Sequence, residues 1–98
     1  MAEVILTRTA YADLVDIGDY GEAQFGRMVA DAYQDAIDRA FERLGFYPQS
    51  GEAKPVFGKD IRCLVCNRHR ILYRLSGDRV QIIRIIHHSR DVPRHLPT

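Results

Sequence analysis

The second half of the chain contains three runs rich in β-branched and aromatic residues, separated by very short breaks. They span residues 61–66, 69–75 and 80–87. The breaks fall at Asn67 and at Ser76, Gly77 and Asp78, residue types that suit hairpin turns. Connections this short can join only antiparallel strands, because a parallel pair needs a long crossover connection. The sequence therefore predicts an antiparallel β-meander over residues 61–87.

Two segments with apolar residues at helical spacing precede this meander. Residues 4–6 predict a short strand, and Thr7 offers a hydroxyl that can cap the start of a helix. A break is predicted at Gly26, and the second helix is predicted to end at Gly45, because glycine tolerates the left-handed cap. Apolar residues near helical spacing define both stripes: Ala10, Leu14, Ile17 and Phe25 in the first helix, then Val29, Tyr33, Ile37, Phe41 and Leu44 in the second. The pattern predicts an acidic helical hairpin.

The order of these elements indicates the fold class. Residues 46–59 are rich in proline, glycine and serine and predict a loop between the hairpin and the meander. The layout is therefore α+β: an N-terminal strand, a two-helix hairpin, then an antiparallel β-meander with the helices packed on one face of the sheet. A chain of 98 residues suits a single domain, residues 1–98.

The expected location follows from what the sequence lacks. No run approaches the roughly 18 apolar residues that a membrane span needs. The N-terminus carries Glu3 and no basic stretch, which does not suit a signal peptide. We expect a soluble cytoplasmic protein without a membrane partner.

The formal net charge of +1 conceals a strong asymmetry between the two halves. Residues 1–53 hold four arginines and ten carboxylates, whereas residues 54–98 hold ten basic residues and three carboxylates. The first half thus carries a charge of −6 and the second a charge of +7. This split favours a basic surface that meets an acidic partner. The alternative is that the two halves pair with each other.

Alternation along the strands predicts which side chains share a face. In the middle strand, Arg70, Leu72 and Arg74 oppose His69, Ile71, Tyr73 and Leu75. In the last strand, Val80, Ile82, Arg84 and Ile86 alternate with Gln81, Ile83, Ile85 and His87. Arginines among large aliphatic residues favour a binding surface on the side without helices. The alternative is a solvated face where arginine stems cover apolar neighbours.

Cys63 and Cys66 form a CxxC pattern, and His69 follows three residues later. On an extended strand, positions three apart point to opposite faces and lie about 10 Å apart. This separation is too long for a disulfide and awkward for one metal ion. We therefore expect reduced, structural cysteines, and neither a metal nor a cofactor.

Several fragments together resemble a known family over nearly the full length. They are Ala12-Asp13-Leu14 with Ile17 and Tyr20, residues 58–62 (GKDIR), residues 70–74 (RILYR), and residues 80–91 (VQIIRIIHHSRD) followed by His95-Leu96. The chain resembles the ParE branch of the RelE/ParE superfamily. The resemblance implies a toxin that a co-encoded, ParD-like ribbon-helix-helix antitoxin neutralises in a hetero-oligomeric complex. It also implies DNA gyrase as the target, because ParE-type members are associated with gyrase inhibition.

The antitoxin contact is expected to involve an amphipathic segment that folds on binding. Its acidic residues would meet arginines of the second half, and its apolar residues would meet the helical hairpin and the sheet. The residues predicted to carry this contact are Leu14, Ile17, Tyr33, Ile37, Arg62, Arg70 and Arg74.

The resemblance leaves a nuclease as the alternative activity, since RelE-type relatives cut mRNA in the ribosome. Such a reaction needs an acid and a base, and cations that steady the phosphate. The catalytic set would then be Arg62, Arg84, His87 and His88. However, no tyrosine follows Tyr73, and a pI near 7.8 is low for binding among ribosomal phosphates. The sequence favours a non-enzymatic toxin that does not bind nucleic acid directly. A third possibility is a relative that has lost activity and only binds its partner.

Residues 84–98 form a basic C-terminal segment that we expect to carry target inhibition. Pro93 and Pro97 prevent the last strand from continuing, so an exposed irregular segment is predicted. In the alternative interpretation, Val92 and Leu96 fold back over the core. The predicted target-binding residues are Arg84, His87, His88, Arg90 and Arg94.

Overall fold

The structure is a computed structural model, and it describes residues 1–89. Strand β1 (Glu3–Leu6) leads into helices α1 (Arg8–Phe25) and α2 (Arg27–Phe46). A two-residue strand β2 (Glu52–Ala53) and a 3₁₀ turn (Pro55–Phe57) follow, and then β3 (Ile61–Cys66), β4 (His69–Ser76) and β5 (Arg79–His87). The predicted strand, hairpin and meander are confirmed. Strand β2 was not predicted, because only its pairing with β3 makes it a strand.

The five strands form one mixed sheet in the order β1-β5-β4-β3-β2. β3, β4 and β5 pair in antiparallel fashion as the short turns dictate, whereas β1 lies parallel to β5 with Val4 opposite Val80. Asn67 adopts a φ of 53° and Gly77 a φ of 63°, so both hairpin turns lie at the predicted residues. The α+β class with an N-terminal strand is therefore confirmed.

The start of α1 is tied to the sheet through Thr7. The Thr7 hydroxyl accepts a hydrogen bond from the Ala10 amide at 3.0 Å, which caps the helix as predicted. The same hydroxyl donates to the carbonyl of Ile83 at 3.0 Å, and the Thr7 amide donates to Ile82. At the other end of α1, Gly26 has a φ of 86°, a backbone conformation that favours glycine and separates the two helices.

The core lies between the helices and one face of the sheet, and a second apolar cluster covers the opposite face. Leu44, Tyr73 and Ile85 belong to the helix-side cluster, whereas Leu72 and Ile86 belong to the second cluster. Cys66 lies in the first and Cys63 in the second, so the two thiols are on opposite faces as predicted. Both cysteines are free and buried.

Three details of the predicted pattern are wrong. Helix α2 does not end at Gly45 in a left-handed cap: it continues to Phe46, and the residue that ends it, Tyr47, has a φ of −131°. Alternation along β5 shifts at a β-bulge, where Tyr73 lies opposite Ile82 but Leu72 lies opposite Arg84. Consequently Ile85, not Arg84, joins Val80 and Ile82 on the helix side. Phe25 and Val29, which belong to the predicted apolar stripes, do not join the core and are 61% and 53% exposed, because they flank the open end of the hairpin beside Gly26.

Among residues 1–89, no helix is long and apolar enough to span a membrane.

Candidate functional site

A cleft of about 490 Å³ separates the helical hairpin from the end of the meander. We call it the hairpin cleft. Its helical wall is mainly apolar, and Arg68, His69, His87 and Ser89 form a polar wall at the sheet side. The helical wall comprises Asp16, Ile17, Tyr20, Gly21, Phe25, Val29, Ala30 and Tyr33. A concave surface that is largely apolar with a few convergent polar groups is typical of a binding site.

Tyr33 connects α2 to the turn between β3 and β4. Its hydroxyl accepts a hydrogen bond from the Arg68 amide at 3.1 Å and lies 2.6 Å from Nδ1 of His69. We assign the hydroxyl proton to this second contact, which requires a neutral His69 with its own proton on Nε2. Burial, assisted by the nearby His87 and His88, lowers the pKa of His69 to about 4. His69 is therefore neutral near pH 7, in agreement with this assignment.

Three histidines form a row along the polar end of the cleft. The ring centres of His69 and His87 lie 5.2 Å apart in an edge-to-face arrangement, and those of His87 and His88 lie 4.5 Å apart. Nδ1 of His87 lies 2.7 Å from the Ser89 hydroxyl. The His88 amide donates to the carbonyl of Arg68 at 2.8 Å. The backbone of Arg68 is thus held by Tyr33 on one side and by His88 on the other.

Arg84 is paired within the molecule. Its Nε and Nη2 donate to the two carboxylate oxygens of Asp13 at 2.8 and 3.1 Å, and the Ile85 amide donates to Asp13 at 2.9 Å. The hydrogen bond to Asp13 raises the pKa of Arg84. Asp13 therefore joins α1 to the part of β5 that extends beyond β1, which pairs only as far as Ile82.

Arg62 is also bound internally, at the other end of the sheet. Its Nε donates to the Gly51 carbonyl at 3.0 Å and its Nη2 to the Gln49 carbonyl at 3.1 Å. The buried Tyr73 hydroxyl supports the same loop, because it accepts from the Gly51 amide and donates to the Pro48 carbonyl, both at 2.8 Å. A Cβ at Gly51 would lie 2.6 Å from this hydroxyl, so the loop and the tyrosine fit closely.

The structure brings together only part of the predicted sites. Among the candidates for the antitoxin contact, Ile17 and Tyr33 line the hairpin cleft, and Leu14 packs against the core. Ile37 has no exposed surface and supports the helices from beneath. Arg70 and Arg74 alternate with Ile71 and Tyr73 of the helix-side cluster and therefore lie on the other face of the sheet.

Among the candidates for target binding, His87 lines the cleft and His88 lies beside it. Arg90 and Arg94, and the residues Val92 and Leu96 of the alternative interpretation, lie outside the described residues.

The two cysteines do not form a reactive pair. Burial raises the pKa of both thiols, which disfavours the reactive thiolate.

Sequence reasoning missed Arg68 as a site residue, together with Tyr20, Phe25 and Val29 as exposed lining. The sequence does contain local signals for these residues. Arg68 occupies a two-residue hairpin turn, where a side chain projects from the sheet, and Phe25 and Val29 flank the glycine that separates the helices. No local pattern shows, however, that these two segments face each other across a cleft.

A helical hairpin laid over one face of a mixed sheet, with an open cleft between the hairpin and the end of the meander, defines a small α+β domain. Residues 4–92 match the family described as the ParE toxin of the type II toxin-antitoxin system parDE. Toxin ParE1 of Caulobacter vibrioides is 33% identical over 91 residues, which covers 93% of this chain and 94% of the relative. Toxin ParE1 of Mycobacterium tuberculosis is 28% identical over 93 residues, covering 94% and 95%.

The fold has a close counterpart among solved structures. A chain of the chromosomal ParDE TA system from P. aeruginosa superposes with a TM-score of 0.77 at 26% identity, covering 89% of this chain and 96% of that one. The chain described here belongs to the ParE toxin family of type II toxin–antitoxin systems.

Proposed function

We propose that this protein is the toxin of a type II toxin–antitoxin module, that it arrests growth by binding DNA gyrase in the cytoplasm, and that a co-encoded ParD-like antitoxin neutralises it. Membership of the ParE family over residues 4–92 is the observation that carries this proposal. The relatives named ParE1 support it, since their similarity extends over nearly the whole chain.

The internal hydrogen bonds of Arg62 and Arg84 support a binding function over RNA cleavage. Of the four candidate nuclease residues, Arg62 is bound to loop carbonyls and Arg84 to Asp13. A cation that already has internal partners must lose them before it can steady a transition-state phosphate. The remaining two, His87 and His88, lie side by side, and among residues 1–89 neither forms a hydrogen bond with the side chain of Arg62 or Arg84. The geometry therefore favours a toxin that inhibits by contact.

The antitoxin contact is proposed at the hairpin cleft, where Ile17 and Tyr33 meet exposed aromatic side chains. The target contact is proposed for the basic C-terminal segment, with His87, His88, Arg90 and Arg94. Arg84 would support this segment indirectly, because its pairing with Asp13 fixes the strand that leads into it. The complex with the antitoxin would be a hetero-oligomer.

Expression of the chain without an antitoxin tests the mechanism. We expect growth arrest with induction of the DNA-damage response and intact mRNA. Rapid mRNA cleavage would instead support the nuclease, and unimpaired growth of cells that accumulate the folded protein would support an inactive relative.

A second arm of the experiment tests whether the basic C-terminal segment carries target inhibition. The double change Arg90→Ala and Arg94→Ala should abolish arrest without affecting antitoxin binding. A fully toxic variant would refute the role of these two arginines.

A further inference from the structure

We propose that Arg68 orients the antitoxin on this toxin, by pairing with an acidic side chain of an amphipathic segment that lies in the hairpin cleft. The inference rests on the proposed function, because it takes the antitoxin as the occupant. It adds the residue that fixes the orientation of the segment and the charge pattern that the segment must carry.

The exposed apolar surface indicates a macromolecular occupant. Tyr20, Phe25 and Val29 line one wall of the cleft and are 58%, 61% and 53% exposed. All three are large apolar side chains with more than half of their surface exposed to solvent, although Ile17 and Tyr33 beside them in the cleft are partly buried. An exposed apolar surface of this kind is typical of a protein–protein contact, and a protein segment with several apolar side chains can cover it.

The charges on the two walls differ in sign. Arg68 stands on the sheet side and Asp16 on the helical side. Neither forms an ion pair with another residue among residues 1–89. Arg70 and Arg74 cannot replace Arg68 here, because they lie on the far face of the sheet. An occupant that complements both walls therefore places an acidic residue beside Arg68 and a neutral or basic residue beside Asp16, with apolar residues between them.

The backbone of Arg68 is held in place without a partner. Its amide donates to the Tyr33 hydroxyl at 3.1 Å, and its carbonyl accepts from the His88 amide at 2.8 Å. The turn that carries it is therefore anchored to α2 on one side and to the residue after β5 on the other. A cation on a fixed backbone loses less conformational entropy on pairing than one on a mobile loop. Such a cation suits the role of setting the register of a flexible partner.

The test uses the protein encoded beside this gene as the probe, co-expressed with the toxin and then separated for titration. Arg68→Glu should weaken the affinity at least tenfold, and more strongly at low salt than at high salt. Arg8→Glu is the matched control, because it makes the same change of charge at an exposed position in the first turn of α1, outside the cleft. We expect less than a threefold effect from this control.

A second pair of variants tests the apolar wall. Val29→Lys introduces a charge into the cleft, whereas Val65→Lys introduces the same charge at a comparably exposed valine on β3. We expect at least a tenfold loss of affinity for Val29→Lys and little change for Val65→Lys. Both positions are exposed, so neither variant should prevent folding.

The outcomes distinguish the inference from the proposed function. If the wild-type chain binds the probe and both cleft variants retain its affinity, the antitoxin lies elsewhere: the inference and the placement of the antitoxin at the hairpin cleft both fail, while the proposed neutralisation stands. If Arg8→Glu and Arg68→Glu weaken binding equally, net charge accounts for the effect and Arg68 has no orienting role. If the wild-type chain binds no co-encoded protein, the proposed neutralisation is wrong and the inference fails with it.

Discussion

At the scale of single residues, the hydroxyl of Tyr73 holds the loop between α2 and β3. Tyr73→Phe should destabilise the fold by about 1–3 kcal/mol, because the Gly51 amide loses its hydrogen-bond acceptor in a buried position. Urea unfolding measures this loss. Tyr47→Phe removes the same atom from a side chain that is 68% exposed and should leave the midpoint unchanged. An equal effect of both changes would mean that the loop does not depend on this hydrogen bond.

A second residue-scale prediction concerns pH. The pKa of His69 falls from 6.5 to about 4 on folding, mainly through burial. Between these values the unfolded chain binds a proton that the folded chain excludes, so the free energy of unfolding should decrease as the pH falls from about 6.5 to about 4. His87 and His88 strengthen this effect and Asp13 opposes it.

Urea unfolding at several pH values measures this dependence. His69→Gln keeps a polar side chain but cannot titrate, so its stability should depend less on pH over the same interval. If the free energy of unfolding depends on pH equally in the variant and the wild type, the assignment of this dependence to His69 is wrong.

At the scale of elements, α1 depends on Asp13 for its attachment to β5. Asp13→Asn should cost about 2 kcal/mol, since it removes the charge that Arg84 and the Ile85 amide share. Amide exchange in α1 should accelerate more than exchange in β4. Asp19→Asn, at an exposed position of the same helix, is the control. Unchanged exchange in α1 would show that Thr7 and the core suffice to hold the helix.

The elements themselves were largely predictable, because their signals are local. The Thr7 cap, the break at Gly26 and the turn at Asn67 depend on residues close in sequence, and all three are confirmed. The β-bulge in β5 was not predictable, since it is a property of the pairing between β4 and β5. It moves Ile85 to the helix side, which a strict period of two cannot anticipate.

The candidate site was less predictable than the fold for a related reason. Ile17, Tyr33 and His87 were each singled out from the sequence, but for two different partners, and the fold brings them to one cleft. Arg84 and Asp13 are 71 residues apart, so their pairing depends on the packing of α1 against β5. Side chains that meet across elements leave no periodic signal in either element.

At the scale of the whole molecule, positive and negative charge are distributed unevenly over one small domain. The acidic half forms the helical hairpin, and most of the basic half forms the sheet and the segment that follows it. Arg84–Asp13 joins the two halves directly, so part of the asymmetry is satisfied within the molecule. Arg68 and Asp16 remain on opposite walls of the hairpin cleft, where a partner of mixed charge can meet both.

We propose that the protein inhibits DNA gyrase by binding it. The most direct test adds the purified toxin to a DNA supercoiling reaction catalysed by the host gyrase, with and without the co-encoded antitoxin. We predict that supercoiling decreases with toxin concentration and that the antitoxin restores it. Undiminished supercoiling at every toxin concentration would contradict gyrase inhibition, and cleavage of mRNA on ribosomes by the same preparation would then support the nuclease.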